Sequence, residues 1–580
     1  MALAARMHKK VWNIKTADPD AEQLAEGLKV SSVLAQLLIN RNINSVEQAR
    51  GFLAPKLTEL IEPEKMPGTG PAVARIKRAL SNGETIAIYG DYDVDGITSV
   101  SILWHLLELM GAKVEYYIPH RIDEGYGLNP EAIKQLAENG VNLIITVDCG
   151  VTAVEQAKLA AELGVDLIIT DHHQFSDELP QASAIVHPGL DGYSNPDSAG
   201  AMVAMKLAWA IVNSFKTTGK TDPKLRQFLL NATTLAAMGT IADVVDIRGE
   251  NRVLTSYGLR ALTASKLCGI KALVASAELD GKQIDSYHIA FRLAPMLNAA
   301  GRMGHARLAV ELLTSDSEMR CMQIADYLKG QNKQRQQYQR KIYRRVREMI
   351  TERGLNHPDR KTIVLADENW HTGVIGIVAS RVIDDFFRPT ILINTGTDGL
   401  AQGSGRSIEG FNMHAALTAC SDELVTFGGH AMAAGLKMEK DKVGAFAEKL
   451  ENYAKENLSH DKLISKLDID AECSIADMSC HAVKEIGMLE PFGPGNARPI
   501  FATRGVRWIS PPRRVGVKGD HLQIAITDGT ESVRCIGFGM GKLEKKLLES
   551  ECFSVAYEAQ MDTYRNNNTT QFVLSDIQFE

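Results

Sequence analysis

Asp91, Asp93 and Asp95 stand at alternate positions in the string Asp91-Tyr92-Asp93-Val94-Asp95-Gly96. Carboxylates this close repel one another unless a cation lies among them. The apolar string TIAIYG (85–90) runs directly into them; NLIITV (142–147) runs into Asp148-Cys149-Gly150, and DLIIT (166–170) into Asp171-His172-His173. A helix-like stretch then ends in Gly239-Thr240-Ile241-Ala242-Asp243-Val244-Val245-Asp246. Hard carboxylates with one or two imidazoles suit Mn2+ or Mg2+. If one carboxylate bridged two such ions at roughly 3.5–4 Å, the pair would activate a water and steady charge on the phosphorane and the leaving oxygen, as in phosphodiester hydrolysis. Such chemistry needs no nucleophilic side chain.

Each cluster also has a plainer reading. An Asp after a strand is often a helix cap, and Asp148 or Asp243 taken alone reads as readily that way. A calcium loop beginning at Asp91 would need a Glu at its twelfth position, where this chain has Ile102. The four clusters falling in order at element ends weigh against capping as the whole explanation.

The elements that must position these groups alternate. Strand-like 85–90, 114–119, 142–147 and 166–170 are interleaved with helix-like 97–110, 130–139 and 152–163. Short, nearly continuous apolar strands between amphipathic helices predict a parallel sheet covered on both faces. Ligands of such sheets bind outside the carboxyl ends of the strands, where the clusters lie. Residues 199–330 read as mainly helical, and 315–353 as one long helix. A second α/β unit begins at Thr362, with a helix near 374–386, a strand near 390–394 and Gly-rich turns at 403–405 and 428–429. The tail alternates like short strands and predicts a small barrel of OB type. The expected fold class is therefore α/β: two α/β lobes joined by a long helix, plus a C-terminal β-barrel. The expected divisions are an N-terminal segment 1–80 packed on the first lobe, a catalytic lobe 81–314, a connecting helix 315–353, a second lobe 354–465 and the tail 466–580.

The chain has 580 residues, a net charge of −7 and eight cysteines with no C-x-x-C pair. Scattered cysteines argue against a zinc ribbon or a disulfide framework and for a reducing compartment. The N-terminus lacks an apolar leader, so a cytoplasmic location and no membrane association are expected. The net charge excludes nothing, because a basic channel can coexist with an acidic exterior. Two local runs, 331–347 and 504–518, are basic with no acidic residue. Such runs are usually solvated faces, but two of them, one carrying a Trp508 expected to be exposed, also fit a nucleic-acid track. In the tail its contacts would be Arg504, Arg507, Arg513, Arg514 and Lys518. No G-x-x-x-x-G-K-[ST] loop is present, which disfavours an ATP-driven helicase.

Taken together, Asp91–Gly96, Asp148–Gly150, Asp171-His172-His173 and Asp243 resemble the four motifs of the DHH phosphoesterase superfamily. Phe427–Gly435 is similar to the GGH motif of the DHH-associated domain. NAAGRM (298–303), WHTGVIGIVASR (370–381), GSGRS (403–407) and PFGPGNARPIF (491–501) resemble the RecJ family within it. The resemblance covers nearly the whole chain. It implies a 5′-to-3′ exonuclease on single-stranded DNA, active in recombination and repair, with two divalent cations. Its metal ligands would be Asp91, Asp93, Asp95, Asp148, His172 and Asp243, with Asp148 bridging. His173 would meet the scissile phosphate and serve as general acid, and Asp171 would orient a histidine from behind.

Arg121 follows a strand-like end, and Ser404 and Arg406 lie in the second lobe. Arginines and hydroxyls on opposite walls can clamp a terminal phosphate. The resemblance places these residues in a 5′-phosphate pocket, with Tyr126 beside the path of the first bases, Arg302 on a phosphate, and Gly429 and His430 against nucleic acid. It further implies a monomer that works with a single-strand-binding protein and a helicase. Two other readings stay open: a DHH-type oligonucleotide or cyclic-dinucleotide phosphodiesterase, which would lack the N-terminal segment and the tail, and a scaffold that keeps the fold without the ligands.

Overall fold

The structure, a computed structural model, describes residues 10–120, 124–217, 219–396, 399–562 and 569–579. It divides into two compact units, one of residues 51–334 with 489–497, the other of the N-terminal residues to 50 with 335–488 and 498–580.

The first unit is built on a parallel sheet in the order Lys113–Tyr117, Thr85–Gly90, Leu143–Val147, Asp166–Thr170, Ala184–Val186. The three central strands are buried on both sides because both faces are covered. Ile86, Ile88, Leu143, Ile145 and Ile168 pack under the helices Val94–Leu109, Gly200–Ser214 and Pro223–Ala242. Ala87, Tyr89, Ile144, Leu167 and Ile169 face the opposite way, toward Pro130–Glu138 and Val154–Glu162. A buried ion pair, Lys206–Glu250, ties Gly200–Ser214 to the helix Gly249–Leu262. Glu250 also accepts Tyr193 Oη and the Ile61 amide, both at 2.6 Å, so the buried charge is fully hydrogen-bonded.

In the second unit a mixed five-stranded sheet runs Thr426–Gly429, Ala433–Glu439, Leu400–Arg406, Thr390–Asn394, Ile363–Asp367. Gly403, Gly405, Gly428 and Gly429, expected in turns at 403–405 and 428–429, are strand residues. A Cβ at Gly403 would lie 3.0 Å from the side chain of Leu436, its partner on the adjacent strand, so glycine here leaves room for that side chain over the sheet. The tail strands Phe501–Val515, His521–Thr527, Ser532–Gly537, Thr570–Phe579 and Phe553–Met561 pair in that order, and the last pairs back on the first. That closes a five-stranded barrel and removes its edges.

Two expectations change. Residues 10–50 fall in the second unit and not in the first: Val11–Ile14 forms a strand parallel to Lys466–Ile469, and Glu485 and Asp470 accept hydrogen bonds from Ser31 and Asn40. Only the rest of the N-terminal segment, from Gly51, belongs to the catalytic unit. Within the tail, residues 489–497 also belong to that unit rather than to the barrel. The long helix spans Glu318–Glu352.

Candidate active site

The strand Thr85–Gly90 delivers Asp91 at its carboxyl end. Asp93 caps the next helix, its Oδ1 accepting the amides of Asp95 (2.9 Å) and Gly96 (3.2 Å). The loop is braced from outside: Asn298 Oδ1 accepts the Val94 amide at 3.2 Å, and a Cβ on Gly301 would strike the Tyr92 carbonyl at 2.6 Å. Asp95 is fully buried and gripped by the N-terminus of the helix Gly200–Ser214, with Gly200 N–H at 2.6 Å and Ala201 N–H at 2.9 Å. Gly200 and Gly239 make the hollow. A Cβ on Gly200 would lie 2.9 Å from carboxylate oxygens of Asp148 and Asp95, and one on Gly239 would lie 2.5 Å from Asp95.

Asp148 follows the next strand with φ 62°, a left-handed conformation that costs about 1–3 kcal/mol in a non-glycine residue and persists only where its surroundings over-determine it. Behind it, Asp171 Oδ2 accepts the Val151 amide at 2.9 Å, while its Oδ1 lies 2.8 Å from His173 Nδ1. Tyr126 Oη lies 3.0 Å from the same nitrogen and donates to the Asp148 carbonyl at 3.1 Å. The His172 ring lies beside the His173 ring, their centroids 4.5 Å apart. Its Nε2 faces Asp148 Oδ1 at 3.1 Å, with Asp243 Oδ2 at 3.6 Å and Asp95 Oδ2 at 3.8 Å. Asp243 ends the helix Pro223–Ala242, and the chain leaves it through Val244, also left-handed at φ 68°.

Burial and crowding decide the charges. Burial and then Asp93 push Asp95 up to about 7; burial and then Asp95 push Asp243 up to about 9. The same two causes raise Asp148 well above the usual carboxylate range. Burial lowers His172 to about 4, which leaves it neutral, the form that binds a cation. Burial also depresses His173, but the hydrogen bond and charge of Asp171 outweigh it and the net shift is upward.

The donor set fits divalent cations. Asp148 Oδ1 and His172 Nε2 are buried, face each other, and have no hydrogen-bond partner. Such orphaned acceptors are costly unless something positive lies between them. Three groups have their ligand atoms within 4.8 Å of one another: Asp91, Asp93 and Asp148; Asp95, His172 and Asp243; and Asp148, His172 and His173. Asp148 belongs to the first and third, and His172 to the second and third. The structure thus brings every expected ligand into one cluster and puts Asp171 behind His173.

Comparison with known proteins identifies the family. The DHH family, N-terminal domain, matches residues 85–240, the DHHA1 domain 359–456 and the RecJ OB domain 469–576. The single-stranded-DNA-specific exonuclease RecJ of Bacillus subtilis is 37% identical over 99% of this chain and 71% of its own length. The chain belongs to the RecJ family. Escherichia coli RecJ is 30% identical over 97% of both chains. The crystal structure of Thermus thermophilus RecJ in complex with Mn2+ superposes with a TM-score of 0.83 at 29% identity, covering 98% of this chain and 79% of that one.

The other expected RecJ-type contacts are distributed as follows. Arg121 lies outside the described residues. Tyr126 keeps its ring exposed while its hydroxyl reaches His173. Arg302 is half-buried at the end of the helix Ala294–Arg302. Ser404 and Arg406 lie on the strand Leu400–Arg406, with Arg406 Nη1 3.1 Å from Ser404 Oγ. Gly376 leaves them room, since a Cβ there would lie 2.8 Å from Ser404 Oγ and 2.9 Å from Arg406 Nη2. Gly429 has φ 131°, and His430 beside it is exposed. On the barrel, Arg507, Arg513 and Lys518 are exposed, whereas Arg504 pairs with Glu472 at 2.9 Å and Arg514 bonds the Gly519 carbonyl. Trp508 is half-buried, its indole N–H donating to Leu547, because the strand turns it inward opposite Ile526.

Sequence reasoning missed the Asn298 cap, the Gly301 approach and the Tyr126–His173 contact. The first two lie inside NAAGRM, where an Asn and a Gly three residues apart on one helix face were the available signal.

Proposed function

We propose that this chain is a single-stranded-DNA-specific exonuclease that works from the 5′ end, releases 5′-mononucleotides and uses two divalent cations, Mn2+ or Mg2+. The observation that carries this reading is the buried, unpartnered pair Asp148 Oδ1 and His172 Nε2 at the centre of the acidic cluster, in a chain of the RecJ family. Asp91, Asp93, Asp95, Asp148, His172 and Asp243 would hold the ions, with Asp148 shared. When bound, the cations supply Lewis-acid charge at the phosphate and lower the pKa of the attacking water.

The remaining work falls to this chain's own groups. The amides of Gly200 and Ala201 fix the Asp95 carboxylate, so no ligand has to reorganise as substrate arrives. Asp171 sets the His173 ring, whose other nitrogen contacts the scissile phosphate and donates a proton to the leaving oxygen. Arg121, Ser404 and Arg406 recognise the terminal phosphate; Tyr126 lies beside the first bases, Arg302 contacts a phosphate, and Gly429 and His430 contact nucleic acid. Arg504, Arg507, Arg513, Arg514 and Lys518 extend the track over the barrel.

We assign residues 81–314 to the catalytic lobe, 315–353 to the connecting helix, 354–465 to the second lobe and 466–580, apart from the loop 489–497, to the barrel region. The chain works as a cytoplasmic monomer in recombination and repair, supplied with single strands by a helicase and a single-strand-binding protein. Among the described residues no helix is long and apolar enough to cross a membrane.

Incubation with 5′- and 3′-labelled single strands and Mn2+ or Mg2+ tests the reading. Mononucleotide release from the 5′ label first is expected. Release from the 3′ label first, or no hydrolysis with either metal, would refute it.

A further inference from the structure

The segment PFGPGNA lies in the tail, yet it is embedded in the catalytic unit. We propose that the loop 489–497 is a brace for the metal ligand Asp243, so that Gly495 and its neighbours are positioning residues for the catalytic centre. The proposal rests on the metal reading above.

Asp243 is the last point of its helix before a turn that the sequence disfavours. The next residue, Val244, is β-branched, exposed and left-handed at φ 68°. A turn of this kind holds its shape only if the chain beyond it is fixed. The brace provides that fixing. The Ile247 amide donates to the Pro494 carbonyl at 2.8 Å, and Arg248 Nε donates to the Gly495 carbonyl at 2.6 Å. One turn on, Arg252 Nη1 donates to the Leu489 carbonyl at 2.8 Å, and Ser286 Oγ donates to the Phe492 carbonyl at 2.6 Å.

Contact is too close for any side chain larger than glycine. A Cβ on Gly493 would lie 2.6 Å from Ile247, and one on Gly495 would lie 2.7 Å from Asp246 Oδ2. The loop is rigid in itself. Gly493 and Asn496 exchange both backbone hydrogen bonds, and buried Asn496 donates to the carbonyls of Leu489 and Pro491. From the other side Asn251 Nδ2 holds the Asp246 carbonyl at 2.9 Å. Asp243 is therefore followed by a strained turn whose far end is clamped between the tail loop and Asn251. Loosening the clamp lets the Asp243 carboxylate drift from His172 and Asp95 while leaving the rest of the cluster in place.

The test is Mn2+ binding by the full-length, DNA-free protein, followed by electron paramagnetic resonance. Wild type is expected to bind two ions. Gly495→Ala should weaken one site about ten- to a hundredfold and spare the other, the range typical of lost outer-shell partners. At saturating Mn2+ its kcat should return to within about twofold of wild type, because positioning is restored by mass action. Arg248→Ala, a change at an exposed residue that adds no strain, should shift the same site in the same direction by a smaller factor. Gly505→Ala is the control: its φ of 64° matches the 67° of Gly495, so alanine is equally strained there, but a Cβ meets nothing within 4 Å. It should leave both sites unchanged. Wild-type isotherms for Gly495→Ala and Arg248→Ala, or an equal shift in Gly505→Ala, would overturn the brace. Fewer than two ions on wild type would instead refute the metal reading itself.

Discussion

Asp171 Oδ1 lies 2.8 Å from His173 Nδ1, and the same oxygen accepts the backbone amides of His172 and His173 at 2.8 and 3.2 Å. One carboxylate thus sets both the ring of a histidine and the turn that presents the two histidines. His173 in return holds Asp171 below the usual carboxylate range against its burial. Asp171→Asn keeps the size, loses the charge and turns an NH2 toward the Val151 amide that the carboxylate accepts. It should lower kcat about ten- to a hundredfold with little change in single-strand affinity. Single-turnover hydrolysis beside a binding isotherm separates the two. Equal losses in both would make Asp171 a structural support only.

Direction has to come from outside the metal cluster, which hydrolyses whichever diester reaches it. Charge-assisted contacts contribute about 1.5–3 kcal/mol each. Arg406→Ala should therefore lower kcat/KM on 5′-phosphorylated strands about ten- to a hundredfold. Strands ending in a 5′-hydroxyl should lose much less. Equal losses on both ends would move the phosphate pocket elsewhere.

Proton linkage gives a further expectation. Asp95 and Asp243 are held up to about 7 and about 9 in the fold, whereas in the unfolded chain they titrate near 3.9. From roughly pH 5 to 9 the folded, metal-free protein carries protons that the unfolded chain has released, so its stability falls as pH rises. Cations displace those protons and bind more tightly over the same window. The metal-free Tm should decline between pH 6 and 9, Mn2+ should raise it most at pH 9, and Asp243→Asn should flatten the decline. A metal-free Tm that rises through this range in wild type would contradict the assignment.

The barrel calls for point changes rather than truncation. Removing 466–580 takes away the loop 489–497 along with the barrel, so a truncation cannot separate strand binding from catalysis. Arg507→Glu with Arg513→Glu tests the track directly. Long single strands should bind more weakly, and the slope of log K against log salt should flatten by roughly one unit or more. An unchanged slope would place the track off this face.

Much of this was legible in the sequence because the relevant signals are local. Apolar runs ending in Asp91, Asp148 and Asp171 mark strand ends directly, and parallel order follows from alternating helices. Long-range relations were not legible. Nothing near Val11 says that it pairs with Lys466, and nothing in PFGPGNA says that its carbonyls meet Ile247 and Arg248. Glycines misled where they serve close packing: Gly403 and Gly405 sit in a strand. Trp508 misled because its alternation in the strand, not its neighbours' charge, decides which way it faces.

The account stands or falls on Asp148, the carboxylate common to two of the ligand groups. The measurement is hydrolysis of a 5′-labelled single strand by Asp148→Ala at saturating Mn2+, with strand binding recorded in parallel. Losing a shared metal ligand removes several kcal/mol of transition-state stabilisation. Activity should fall below about one per cent of wild type while single-strand affinity stays within about threefold. Residual hydrolysis above about one per cent would mean that Asp148 does not hold the cations together.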